Sequence, residues 1–323
     1  MNQVRAMESW QGKRHAVVNL FTDWSYSTAV MDNLFIRQLP TIWQNGNVPL
    51  ITWMPYTHGK NTPANVEVRI AKGLHDDYIE RWAEQLKVFL SGEDGIYDTG
   101  DDRRVYIRLA HEMNGNWFPW SAKNNSNNPI DFIDMWRHVV DIFDSKGLDF
   151  THVQWVWCVN NRDVGNYRAE QYYPGHAFVD WVAIDGFNWG ASQSWSHWRM
   201  PEQVFGTMLK RIRTISKKPV AITEFGSTSR TSAGNNVKTK SLWFKQFLSY
   251  ALVQDIKLVC LFNTHKEVDW DSFGGLNGDS RYLYQKKIYK AYSSYRNGVA
   301  DSRFISANQE NPRLLTDAQF IGR

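Results

Sequence analysis

Two glutamates, Glu112 and Glu224, each stand at the end of a short apolar run and are each followed by glycine and small or polar residues. The first lies in RVYIRLAHEMNGNWFPW, residues 104–120. Val105, Ile107 and Leu109 are β-formers, and the run stops at His111-Glu112, where Asn114, Gly115, Asn116 and Pro119 force an irregular loop. Trp117, Phe118 and Trp120 surround this carboxylate with aromatic walls. Walls of that kind withdraw water, disfavour the charged form and suit a carboxyl group to general-acid work. The second glutamate ends PVAIT and is followed by Phe225-Gly226. A strand-end acid capping the next loop would explain either glutamate alone. Two carboxylates in an aromatic cleft have a joint use, which is glycoside hydrolysis: one acid for the leaving oxygen, one nucleophile or base for the anomeric carbon.

The composition agrees with such a cleft. The chain has 323 residues with 16 Trp, 14 Tyr and 17 Phe, and tryptophan in excess supplies platforms for flat apolar faces such as sugar rings. The net charge of +4 is scattered, with no Lys/Arg run to mark a nucleic-acid footprint. Two cysteines, Cys158 and Cys260, do not make a disulfide framework. No segment approaches the ~18 apolar residues of a membrane span, and Met1 is followed by no apolar leader core. Nucleotide-binding glycine loops, an H-E-x-x-H zinc motif and a G-x-S-x-G elbow are all missing, so no cofactor and no metal are expected. The acidic loop GEDGIYDTGDD (92–102) does not have EF-hand spacing and is read as a solvated turn, with calcium as the alternative.

The elements that position the glutamates alternate. Strands are expected at 15–22, 48–55, 104–109, 153–159, 179–185, 219–223 and 256–262. Helices are expected at 3–12, 28–44, 76–91, 129–146, 201–216, 239–253 and 281–296; residues 59–75 are ambiguous. Short strands buried on both faces and alternating with helices imply parallel pairing, and polar and aromatic residues gather after the strands. That pattern predicts an α/β fold, a single (β/α)8 TIM barrel over 1–323, with its site at the carboxyl ends of the strands. Seven strands leave one place open. Residues 318–322, in the tail 297–323, are the candidate to fill it, against a disordered tail or a strand hidden in 59–75.

RLAHEMNGNWFPW, VDWVAIDGFNWG and ITEFGST together resemble the signature segments of glycoside hydrolase family 26, over about residues 8–295. The resemblance implies that Glu112 is the acid/base and Glu224 the nucleophile of a retaining double displacement. It further implies that His111 and Trp117 shape the subsite of the reacting sugar, with Trp270 an aromatic after the last strand. Phe187 stands where the family commonly has a tyrosine whose hydroxyl contacts the nucleophile; Tyr56 and Asn188 are candidate substitutes. Trp189, Trp24 and Trp53 are further candidates for the cleft. The implied activity is endo-hydrolysis of β-1,4-mannan or glucomannan by a secreted monomer. Mixed-linkage β-glucan is the alternative substrate, and a catalytically silent sugar-binding barrel the alternative of another class.

Overall fold

The computed structural model describes residues 1–125 and 127–323. Seven strands, β1 (Val17–Asp23), β2 (Val48–Met54), β3 (Val105–Leu109), β4 (Val153–Asn160), β5 (Trp181–Asn188), β6 (Val220–Ser227) and β7 (Leu258–Leu261), form one sheet in chain order. The pairs β1–β2, β2–β3, β3–β4 and β6–β7 run parallel. All seven expected strands are present, their ends moved by a few residues. The chain clusters into two compact units: residues 16–183, 212–219 and 307–323, and residues 1–15, 184–211 and 220–306. Among the described residues no helix is long and apolar enough to cross a membrane.

In the first unit, β2 and β3 are buried along nearly their whole length, as strands covered on both faces must be. Alternation sorts their side chains. Arg108 donates from Nε to Thr52 Oγ1 at 2.9 Å, and Thr52 donates to Asn19 Oδ1 at 2.9 Å, so these three share one face. Trp53, one residue on, therefore points the opposite way. It stacks on Trp82 of the amphipathic helix Asp76–Leu90 at 4.3 Å. The expected helix 28–44 is continuous but widens into a π turn at Leu34–Gln38. Pro40 explains this, since its ring cannot sit against the carbonyl four residues back. Residues 59–75 hold a 3-10 turn, Gly59–Asn61, and a helix, Val66–Ala71, and no strand.

The tail does not complete the sheet. Asp317–Phe320 is one helical turn, opened by a capping box in which Thr316 Oγ1 accepts from Gln319 N at 3.2 Å and Gln319 Oε1 accepts from Thr316 N at 2.9 Å. This turn packs at the beginning of β3. Buried Arg104 donates to Leu315 O at 3.1 Å and pairs with Asp317, while Tyr106 Oη donates to Phe320 O at 3.0 Å. Phe320 is fully buried against the Tyr106 ring at 4.9 Å.

In the second unit, the helix Val237–Val253 is capped by Asn236, whose side chain accepts from Thr239 N at 3.0 Å. It lays Phe247 on Phe225 of β6 at 3.8 Å. The expected helix 281–296 is mostly a hairpin, Ser280–Tyr284 against Lys287–Ala291, with only Ser293–Val299 helical. Exposure alternates along its first strand, and Gln285 and Lys286 take φ of 46° and 66°, the backbone of a two-residue primed turn.

Candidate active site

The chain leaves β3 through a strained turn. Ala110 and Glu112 have φ of 43° and 56°, a region that non-glycine residues enter at a cost of about 1–3 kcal/mol each. Hydrogen bonds hold the turn in place. Ala110 N donates to Trp53 O at 3.1 Å, Glu112 N to Cys158 O at 2.9 Å and Gly115 N to Glu112 O at 2.9 Å. Asn114 ties the turn to the end of β4, donating to Asn160 O at 3.0 Å and Asp163 Oδ1 at 2.9 Å and accepting from Asn160 N at 2.8 Å. Half-buried Glu112 accepts at Oε2 from Trp117 Nε1 at 2.8 Å. Trp117 is 45% exposed, so one side of this carboxylate is fixed while the ring beside it faces solvent.

His111 is buried against Phe118 at 4.8 Å. Burial first, then the charge of Arg108, pushes its imidazole well below 6.5, so the ring is neutral at ordinary pH. Its carbonyl accepts from Trp120 Nε1 at 2.8 Å, and Trp120 stacks on Phe118 at 4.5 Å. Half-buried Tyr56 packs on Trp120 at 5.0 Å.

Glu224 is positioned differently. Ile222 pairs with Val259, and Phe225 with Leu261, so β6 carries one extra residue across Thr223-Glu224. This bulge lets Phe225 face the helix while Thr223 faces Asp185, donating to its Oδ1 at 2.7 Å. A carboxylate oxygen of Glu224 lies within 4.8 Å of one on Asp185, which is fully buried. The motif glycine makes room beside it. A Cβ on Gly226 would meet Phe187 Cδ1 at 3.2 Å and Trp270 Cβ at 3.3 Å. Phe187, Trp270 and Trp189 form one aromatic group, with Phe187–Trp270 at 4.8 Å and Trp189–Trp270 at 4.7 Å.

The expected site residues divide accordingly. His111, Glu112, Trp117 and Tyr56 gather in the first unit, and Phe187, Trp189, Glu224 and Trp270 in the second. Trp24 and Trp53 do not offer an open ring. They are 5% and 0% exposed, packed on each other at 4.8 Å and on Tyr78, because strand alternation turns Trp53 toward the helices. Trp270, at 2% exposure, backs the aromatic group and presents no face to solvent. Asn188 is engaged by its own loop and by Ser227. It is fully buried, its Nδ2 donates to Ser227 Oγ at 2.9 Å, and its Oδ1 accepts from Gly190 N and Arg199 N at 3.2 and 2.9 Å. Both ends of the next loop are tied to this one side chain. In the 92–102 loop the carboxylates bind the loop's own backbone and a neighbouring histidine: Asp101 accepts from Glu93 N and Thr99 Oγ1, Asp94 from Ile96 N, and Asp102 from Asp98 N, with His152 Nε2 2.8 Å from Asp102 Oδ2. Asp185, Thr223 and the clamp Asn114 were missed by sequence reading. Asp185 and Thr223 had a signal, being polar residues inside otherwise apolar strands.

Comparison with known proteins follows the same lines. The family pattern described as glycosyl hydrolase family 26 matches residues 96–247, which carry both glutamates. Endoglucanase H of Acetivibrio thermocellus is 32% identical over 276 residues, covering 83% of this chain and 27% of that protein. A mannan endo-1,4-beta-mannosidase of Bifidobacterium adolescentis is 27% identical over 221 residues, covering 65% of this chain and 20% of its own length. The chain thus spans about a quarter of the length of these curated relatives. Among solved structures, the catalytic domain of the Bacillus sp. JAMB-750 family 26 endo-beta-1,4-mannanase superposes with a TM-score of 0.64 at 17% identity, over 93% of this chain and 80% of that one. That likeness shows the fold, a (β/α)8 barrel. The chain belongs to glycosyl hydrolase family 26.

Proposed function

We propose that this chain is a retaining, endo-acting glycoside hydrolase, with Glu224 the nucleophile and Glu112 the acid/base. The observation that carries the reading is that Glu112 follows the end of β3 and Glu224 lies in the carboxyl half of β6, each at a backbone irregularity and each with a glycine two or three residues on that makes room for an aromatic side chain. Glu224 attacks the anomeric carbon while Glu112 protonates the departing oxygen. Glu112 then takes a proton from the water that hydrolyses the glycosyl ester. The Trp117 N–H orients the Glu112 carboxyl group that transfers the proton. Neutral His111 places no positive charge beside Glu112 that would favour its ionised form. Phe187 supplies the wall but no hydroxyl to the nucleophile.

The test is stereochemical and covalent. Product released from a β-linked oligosaccharide should first appear as the β-anomer by proton NMR, and a 2-deoxy-2-fluoro glycoside should leave its mass on the peptide containing Glu224. Initial release of the α-anomer would refute double displacement.

The substrate proposed is β-1,4-mannan or glucomannan, in keeping with the names of several relatives. A second reading, mixed-linkage β-glucan, is favoured by the match to endoglucanase H, which covers more of this chain than any mannosidase reported above. Turnover of mannan against lichenan by the purified protein separates the two. Binding of either without turnover would leave a sugar-binding barrel. An extracellular, monomeric enzyme with no metal and no cofactor completes the proposal.

A further inference from the structure

Trp195 lies outside the signature segments and is 59% exposed. An indole so open to water gives up most of its apolar burial, which a loop tolerates when the ring has something to bind. The loop that carries it is not slack. Gly190 N and Arg199 N both bind Asn188 Oδ1 at its two ends, at 3.2 and 2.9 Å. Ala191 N donates to Arg230 O at 2.9 Å, and Arg199 O accepts from Trp243 Nε1 at 2.9 Å. Inside the loop, Ser196 Oγ donates to Gly190 O at 2.8 Å, and Gln193 N donates to Ser196 Oγ at 3.1 Å. Gly190, at φ 51°, runs so close to the neighbouring chain that a Cβ would stand 2.1 Å from Arg230 O. The chain here is built to hold Trp195 still.

What it is held against gives the direction. The Trp195 ring lies 5.4 Å from half-buried Trp189, and Trp189 lies 4.7 Å from buried Trp270, which packs on Phe187 beside Gly226. Exposure rises along this series from 2% at Trp270 to 59% at Trp195. The series begins beside Gly226, two residues after Glu224, and steps outward. We propose that Trp195 is a distal sugar platform: its open face stacks on a pyranose ring of the polysaccharide main chain, beyond the sugar that reacts at Glu224. This rests on the hydrolase reading. The Trp189 and Trp195 planes differ by 57°, so successive sugars stacked on them do not lie in one plane.

The test compares wild type, Trp195→Ala and Trp195→Phe on the polysaccharide that wild type hydrolyses and on an aryl glycoside carrying one or two sugars. The ratio of kcat/KM for polymer to that for aryl glycoside should fall about tenfold in Trp195→Ala, through KM, and recover largely in Trp195→Phe, as expected for loss of one aromatic stack. An unchanged ratio, or equal losses on both substrates, overturns the proposal. Affinity electrophoresis in gels containing mannan or lichenan reads the same point without turnover. Retardation that Trp195→Ala abolishes supports the platform even if no glycan is hydrolysed, in which case the hydrolase reading alone fails. Identical mobility of wild type and variant in gels that retard wild type counts against the platform.

Discussion

The two glutamates sit in regions that solve one positioning problem by different physics. Around Glu112 the backbone is strained: two non-glycine residues at positive φ lie within three positions, held by backbone hydrogen bonds to β2 and β4 and by the Asn114 clamp. Around Glu224 the backbone stays in the strand and one bulge re-aims the side chain. Each region then uses a glycine to seat a tryptophan. A Cβ on Gly115 would stand 2.6 Å from the Trp117 ring, and one on Gly226 would press on Phe187 and Trp270. The Trp117 ring is open to solvent and hydrogen-bonded to its glutamate, whereas Trp270 is closed off. A proton-shuttling carboxyl must exchange with water and with a departing oxygen; a nucleophile needs a fixed, dry approach. The two surroundings differ in that sense.

The largest effects should come from the glutamates themselves and should be unequal in kind. Glu224→Ala is expected to lower kcat/KM on the order of 10⁴-fold or more on every substrate. Glu112→Ala should cost about 10²–10⁴-fold on polysaccharide and far less, in the first step, on aryl glycosides whose leaving groups need little protonation. Rates for both variants on both substrate types decide it, and equal losses for Glu112→Ala would remove the acid assignment.

The glycines sharpen the contrast at smaller amplitude. Gly115→Ala must displace the Trp117 ring and break its bond to Glu112, so it should lower polymer turnover about tenfold and move the alkaline limb of the pH–rate profile. Gly226→Ala asks its neighbours to give only a few tenths of an ångström. It should lower kcat severalfold and leave that limb in place. A limb that moves in Gly226→Ala and not in Gly115→Ala would reverse the assignment of acid and nucleophile surroundings.

Much of this was legible because apolar run length and turn residues act locally. Seven strands and both glutamates follow from short runs such as PVAIT that end in polar residues. What was misread depends on facing or on a competing local signal. Trp53 follows Thr52, and only knowing that Thr52 joins Arg108 and Asn19 turns the tryptophan outward. Residues 281–291 have apolar residues that fit a helix, yet Tyr282, Tyr284, Ile288 and aromatic Tyr289 favour strands once Gln285-Lys286 turns. In the tail, Ala318-Gln319-Phe320-Ile321 reads as a strand by composition, but Thr316 and Gln319 form a capping box that starts a helical turn. Neither the exposure of Trp195 nor the Asn188 clamp has a sequence signature, since both depend on where a loop returns.

The regions also differ in how they bury ionisable groups. Near Glu224, Lys240 and Asp269 form a buried ion pair at 3.4 Å, with Asp269 also accepting from Thr228 Oγ1 at 2.6 Å. Lys240→Met leaves an unpaired buried carboxylate and should destabilise by about 3–5 kcal/mol in denaturant titration. In the Glu112 region Glu67 and His111 are pushed toward their neutral forms, and their effects on stability have opposite signs. Burial, with Asp131 adding to it, pushes Glu67 from 4.5 up to about 8, while Asn127 Nδ2 donates to its Oε2 at 2.5 Å. Between those values the folded chain holds the Glu67 proton and the unfolded chain does not. This contribution is complete below 4.5 and drains away as pH rises toward 8. For His111 the unfolded chain binds the proton below 6.5 and the folded chain does not, so its contribution is complete above 6.5 and is lost as pH falls. Glu67→Gln should therefore flatten the alkaline side of a Tm-versus-pH curve, with a gain on the order of a few kcal/mol at pH 8. His111→Gln should flatten the acid side of the curve below pH 6.5. The same curve measured for both variants tests the contrast, because a steeper alkaline side in Glu67→Gln would mean that the glutamate is charged where it lies.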